Sequence, residues 1–263
     1  MRAATPNLLK TKLFLLSELI RRDLSSRYAG SFGGPAWALL NPLIFCGLYG
    51  FVFAVILKIP VPQGFPGRYV EFLLAGLLPW IGLQEALMRG SSSVSDQAHL
   101  VKKLRFPTEL LVLSSVGAAL VLQAAGLACL IGYGLVSGRG SLRPLTLVEA
   151  FLFEGLVLVG PAFALAALNV FFRDLPQILP PVLMVAFYLT PILYPDALVP
   201  APFSRLLAFN PFRVMASLFR AGLYGSEPPA AATRLAWEAL LVVLAFAGVR
   251  LFRRCRPSFS DLL

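Results

Sequence analysis

The chain has 263 residues, of which 58% are hydrophobic and only 14% charged, and it carries a formal net charge of +10. A water-soluble domain of this length has too little interior to hide so much apolar surface, so the composition excludes an ordinary globular protein. The excess of cations would suit nucleic-acid binding, but the cations flank apolar runs and form no continuous stripe, which favours a membrane topology.

The first informative segment runs from Leu8 to Tyr28. Leu9, Leu13, Leu16, Ile20 and Leu24 recur at helical spacing, and Lys10, Ser17, Arg21 and Ser25 occupy another face. Glu18 and Arg22 stand four apart in the favourable order for a side-chain pair. The pattern predicts a basic amphipathic helix in the cytoplasmic membrane interface; a soluble helix docked on a partner is the alternative. Gly30, Gly33, Gly34 and Pro35 break this helix before Trp37.

A helix needs ~20 apolar residues to cross ~30 Å of hydrocarbon. Six runs meet or approach that length: Trp37 to Leu57, Tyr69 to Met88, Leu110 to Val136, Leu147 to Phe171, Ile178 to Tyr194 and Thr233 to Leu251. They are continuous, whereas the strands of a membrane barrel alternate apolar with polar, so helices satisfy the backbone. Fifteen of the 23 Lys and Arg residues fall before the first run, between runs two and three or four and five, or after the sixth. By the positive-inside rule both termini are expected in the cytoplasm. The expected fold is an all-α membrane protein of one domain, residues 1–263. It has six transmembrane helices, an interface helix in 1–30, a cytoplasmic loop at 89–109 and short re-entrant or gate helices in 195–232.

In the loop, Ser93 and Asp96 have the spacing of a capping box, which predicts a short helix over Val94 to Val101. It leads into Lys102, Lys103, Leu104, Arg105, Phe106 and Pro107. Leu100, Val101 and Phe106 make it a candidate contact for a soluble partner, although the charge run taken alone reads more often as a topology anchor. In the far segment, Asn210 and Pro211 form an N-cap followed by proline at the first helical position. Phe212, Met215, Ala216, Phe219 and Leu223 then line one face, with Arg213, Ser217 and Arg220 on another, which predicts an amphipathic helix at the outer surface. A half-helix from Pro202 to Ala208 would pair with it as a re-entrant element; an outer-leaflet helix without a gating role is the alternative.

Among the carboxylates within the runs, Glu85 and Glu154 are expected to face protein or water, because a charge in hydrocarbon costs ~2.5 to 3.5 kcal/mol. They form no acidic ladder for proton coupling. His99 is the only histidine, which leaves histidine triads and histidine-based metal sites unsupported. No glycine directly precedes a lysine, so no P-loop can be written, and no Gly-x-Ser-x-Gly elbow is present. Transport driven by ATP would require a second polypeptide to bind it.

Taken in order, several segments resemble one family. They are Arg22 to Tyr28 ahead of Ser31, Gly33, Pro35, Trp37 and Pro42; Gly76 to Trp80; Leu100 to Lys103 with Phe106 and Pro107; Phe172 to Asp174; Tyr188 to Pro195; and Asn210 with Pro211. This series is similar to the polysaccharide-exporting ABC transporter permeases, the type 2 exporter class that includes O-antigen and teichoic-acid exporters. The resemblance covers nearly the whole chain.

The resemblance implies a permease homodimer in the bacterial cytoplasmic membrane, joined to two copies of an ABC ATPase subunit and moving a lipid-linked polysaccharide. Catalysis, ATP and Mg would belong to the ATPase, with no cofactor or metal on this chain. Val94, Asp96, His99, Leu100, Val101, Lys102, Lys103 and Phe106 match the family's coupling segment. Arg22, Arg27 and Tyr28 lie where the lipid diphosphate would meet the permease. Asn210, Pro211, Phe212, Arg213 and Arg220 match the outer gate. Phe45, Tyr49, Phe53, Phe187, Tyr188 and Tyr194 are candidates for an aromatic glycan path, because ring faces pack on sugar C–H faces and let a chain slide. A permease of the same class moving lipid or drug, and a membrane enzyme acting on lipid-linked sugars, are the other readings.

Overall fold

The computed structural model describes residues 8–27, 30, 33–103 and 106–263, and every regular element among them is helical. In chain order these are α1 (Leu8–Arg27), α2 (Trp37–Tyr49, continued as a π-helix over Gly50–Ile56), α3 (Tyr69–Ser92), α4 (Ala98–Lys103), α5 (Glu109–Val136), α6 (Pro144–Phe171), α7 (Leu175–Tyr188), α8 (Ala201–Ala208), α9 (Pro211–Tyr224), α10 (Ala231–Cys255) and α11 (Phe259–Leu262). Four of them, α3, α5, α6 and α10 with its extension to Leu262, are long and apolar enough to cross a membrane. The chain is therefore a multi-pass membrane protein. The runs in α2 and α7 are apolar but shorter.

α3 is the hub. In its most apolar stretch 72% of residues are buried, against 17% for α10, so α3 is enclosed by protein while α10 presents its sides to lipid. α5, α6, α7 and α9 all pack on α3, and α10 packs on α6. With no hydrophobic drive between helices in lipid, close backbone approach has to supply the packing energy, and small residues permit it. Gly160 of α6 and Gly248 of α10 serve this purpose: a Cβ on Gly248 would lie 2.2 Å from the Gly160 carbonyl oxygen, and one on Gly160 would lie 2.7 Å from that of Leu244. At the N-terminus, α1 packs on α5, and Ile20 Cδ1 occupies the space that a side chain at Gly117 would fill. Its apolar residues thus dock partly on the protein's own bundle, while Leu13 and Phe14 remain exposed.

Four expectations require correction. The fifth apolar run ends as a helix at Tyr188, six residues early, because Pro191 and Pro195 have no N–H to continue it. The loop helix begins at Ala98, not Val94, and residues 93–97 form turns. Ser93 sits at the end of α3, where its hydroxyl donates back to the Gly90 carbonyl at 2.8 Å; Asp96 instead accepts from Ser92 Oγ at 2.7 Å. No capping box forms, since a serine that closes one helix bonds backward. Finally, α9 is not an amphipathic helix lying on a surface: it is wedged between α3 and α6, and Arg220 is only 6% exposed.

Substituting Gly248 with leucine forces α6 and α10 apart and costs about 1 to 3 kcal/mol by overpacking. A lowered thermal unfolding midpoint in detergent is the expected readout. Gly155→Ala, on α6 but with open space beside it, does not lower the midpoint.

Candidate functional site

One large cavity, about 1440 Å³, runs alongside α3 and is walled by α2, α5 and α7. Its lining on α3 extends from Val70 to Arg89, and nineteen residue-to-residue steps at ~1.5 Å rise make it roughly 28 Å tall, close to the thickness of the hydrocarbon core. The wall is mostly apolar along its height and charged at both ends.

The end nearer α4 is closed electrostatically. Arg27 of α1 is almost wholly buried and lies between Asp23 (Nη2 to Oδ2, 2.7 Å) and Glu85 (Nη1 to Oε1, 2.5 Å), and Arg89 Nε reaches the same Glu85 oxygen at 3.1 Å. Two cations and two carboxylates balance, which makes burying the Arg27 guanidinium tolerable. At the other end Glu71 accepts from the Arg68 amide at 2.6 Å and pairs with Arg139 at 3.6 Å, while Tyr133 lines the wall. Midway, Gln123 of α5 faces the cavity beside Gly82 and donates to Glu154 of α6 at 2.7 Å.

Between these ends stands a connected set of rings. Phe45 and Tyr49 stack on successive turns of α2, and Tyr49 meets Phe187 of α7 at 5.9 Å. Phe187 touches both Tyr188 (5.3 Å) and Trp80 of α3 (5.6 Å). Trp80 Nε1 donates to Gln84 at 3.2 Å, satisfying the one polar atom of a buried indole. Of the six aromatics singled out in the sequence, Phe45, Tyr49, Phe187 and Tyr188 line the cavity. Phe53 and Tyr194 do not. Phe53 lies one turn beyond Tyr49, with ring centroids 6.3 Å apart. Tyr194 donates to the Tyr188 carbonyl at 2.8 Å.

The second feature is the pin that seats α9. Arg220 donates from Nε to Phe72 O, from Nη1 to Pro191 O and from Nη2 to Ile192 O, each at 3.1 Å, and its guanidinium lies 3.5 Å from the centre of the Phe72 ring. Gly76 leaves room for it, since a Cβ there would lie 2.8 Å from Nη2. Tyr69 donates to the Leu193 carbonyl alongside. Asn210 caps α9 through the amides of Phe212 (2.9 Å) and Arg213 (3.3 Å), with Pro211 at the first position, and its Nδ2 reaches Thr190 Oγ1 at 3.0 Å. Arg213 pairs with Asp196 at 2.5 Å, and Phe212 sets its ring edge-on to Trp80 at 5.3 Å. One set of residues thus joins α9, the end of α7 and the cavity wall.

The remaining sequence candidates divide by position. Arg22 is exposed and donates to Gln97 at 3.2 Å; Tyr28 and the side chain of Lys103 lie outside the described residues. Asp96, His99 and Lys102 are exposed, Leu100, Val101 and Phe106 are half-buried, and Val94 is fully buried. Sequence reasoning missed Gln123, although a lone amide in an apolar run was a usable signal. It also missed Trp80 and Tyr133 as wall residues, for which nothing local gave a sign.

A bundle of membrane-crossing helices around a tall, end-charged cavity defines a membrane transport protein. The family model described as ABC-2 type transporter matches residues 15–224, and the chain belongs to that family. Among curated relatives it is 32% identical over 250 residues to the O-antigen export system permease protein RfbA of Myxococcus xanthus, with 94% of each chain covered. It is 28% and 26% identical to two proteins of the same name from Klebsiella pneumoniae, over 263 and 265 residues and 95% of each chain.

Arg220→Met leaves three carbonyls without their donor and is expected to destabilise the protein by about 2 to 4 kcal/mol. Arg220→Lys loses less, because an ammonium keeps the charge but not the fork. Thermal unfolding in detergent orders the three proteins as wild type, lysine, methionine.

Proposed function

We propose that this chain is the permease subunit of an ATP-driven exporter that moves a lipid-linked polysaccharide of the O-antigen kind across the bacterial cytoplasmic membrane. The single observation that carries the reading is the aromatic-walled cavity, which is as tall as the hydrocarbon core and charged at both ends. The names of the relatives supply the substrate class. In this reading α2 with its π-helical extension, and α7, complete six spans, and both termini and α4 face the cytoplasm. Two copies of the permease pair with two ATPase subunits. ATP and Mg²⁺ are held by those subunits, so this chain performs no catalysis.

The physical steps follow from the lining. A hydrated glycan loses water on leaving the cytoplasm, and ring faces on Tyr49, Phe187 and Tyr188 replace part of that contact without fixing a hydrogen-bond register. The glycan therefore slides. Arg22, Arg27 and Arg89 stand where the diphosphate of the lipid carrier would arrive, and Arg27 and Arg89 reach it by exchanging Glu85 for phosphate oxygens. α4 takes up motion from the ATPase, and α9, held by Arg220, forms the outer gate with Asn210 to Arg213.

The test uses the reconstituted permease and ATPase with lipid-linked polysaccharide. Tyr49→Ala/Tyr188→Ala is expected to lower glycan-stimulated ATP hydrolysis about tenfold, the loss of roughly 1.4 kcal/mol of wall contact. Phe53→Ala, off the wall, leaves the stimulation intact. Equal effects from both variants would sink the assignment of the path.

A further inference from the structure

Residues 256–263 do not trail away from the bundle. A single 3₁₀ turn, Arg256–Ser258, carries α10 on into α11, which packs on α4 and on α6. Phe259 is fully buried, with its ring 5.3 Å from that of Phe252, which lies 5.1 Å from Phe163 of α6. Arg256 donates to Glu109 Oε1 at the start of α5 (3.1 Å) and to the Phe106 carbonyl (3.4 Å). From the other side Arg173, in the turn between α6 and α7, donates to the Leu262 carbonyl at 3.4 Å. The segment is a strap that ties together α4, α5, α6 and the α6–α7 turn, all at one end of the molecule.

Its outer side is open. Ser260 and Asp261 are exposed and Leu262 is 42% exposed, continuous with exposed His99 and Lys102 of α4 and with Arg173 and Asp174. We propose that this strap is the second half of the surface on which the ATPase subunit docks, so that the subunit contacts Ser260 to Leu262 as well as α4. The inference rests on the proposed function, in which α4 is the coupling segment. Continuity with α4 argues for this occupant, and so does charge: exposed Lys102, Arg173, Arg253 and Arg254 outnumber exposed Asp174 and Asp261 in and next to the strap and favour an acidic rim on the partner, with Leu262 as the apolar contact. Because Phe259 is seated through Phe252 on Phe163, a load on the strap is delivered to α6 and α10 as well as to α4.

Photo-crosslinking in membranes tests this, with p-benzoylphenylalanine placed singly at Ser260, His99 and Val136 of the full-length permease co-expressed with its ATPase. The expected result is an ATPase adduct at Ser260 and at His99, and none at Val136, at the far end of α5. An adduct at His99 alone, or a Ser260 adduct to lipid or to a second permease, overturns the strap's role and leaves the proposed function standing. No ATPase adduct at either position overturns both. As a second measure, Leu262→Glu places a negative charge on the exposed side chain while its carbonyl keeps Arg173, and it is expected to weaken ATPase binding about tenfold. Unchanged affinity counts against the strap.

Discussion

A membrane offers no water to an unpaired carbonyl, and between Tyr188 and Ala201 this chain leaves α-helical geometry, apart from a 3₁₀ turn at Asp196–Leu198, within a bundle of apolar helices. The Arg220 guanidinium resolves that conflict. Its planar fork answers carbonyls on the broken segment and on α3 at once, and the Phe72 ring takes up part of the charge on its face. Because the donor comes from α9, satisfying the broken backbone also fixes where α9 sits. Gly76, Tyr69, Asn210 and Thr190 are arranged around the same knot, and Phe212 then presses on Trp80, which forms the cavity wall.

The cavity depends on this arrangement for one wall and on two ion networks for its ends. The Asp23, Arg27, Glu85 and Arg89 cluster joins α1 to α3, so the N-terminal helix participates in the mouth of the cavity and is more than a membrane anchor. Glu71 and Arg139 join α3 to the turn after α5 at the far end. Aromatic rings fill the height between. On the proposed function, such a wall would discriminate weakly among sugars, which suits a polymer whose units must pass in series.

Much of this was legible in the sequence because long apolar runs report membrane helices directly, and α3, α5, α6 and α10 lie within a few residues of their expected bounds. Asn210 followed by Pro211 reported the start of α9 for an equally local reason. The errors arose where a tertiary contact outranked a local pattern. Arg220 shares a helical face with Arg213 and Ser217, and hydropathy alone assigned it to water; only the carbonyls of Pro191 and Ile192, nearly thirty residues away in the chain, show why it is buried. Ser93 and Asp96 match a capping pattern, but α3 runs up to Ser92 and takes Ser93 as its own C-terminal cap. Trp80 was visible as part of a motif, yet its place on the wall depends on Phe187 and Phe212, which approach from two other helices.

The central claim is that a polysaccharide passes through this chain only when a separate ATPase drives it. Proteoliposomes holding the permease with or without its ATPase, loaded on one face with lipid-linked polysaccharide, measure this by the appearance of glycan on the other face. The account predicts translocation that requires both proteins and hydrolysable ATP. Glycan crossing with the permease alone, or ATP turnover by the permease alone, would contradict it.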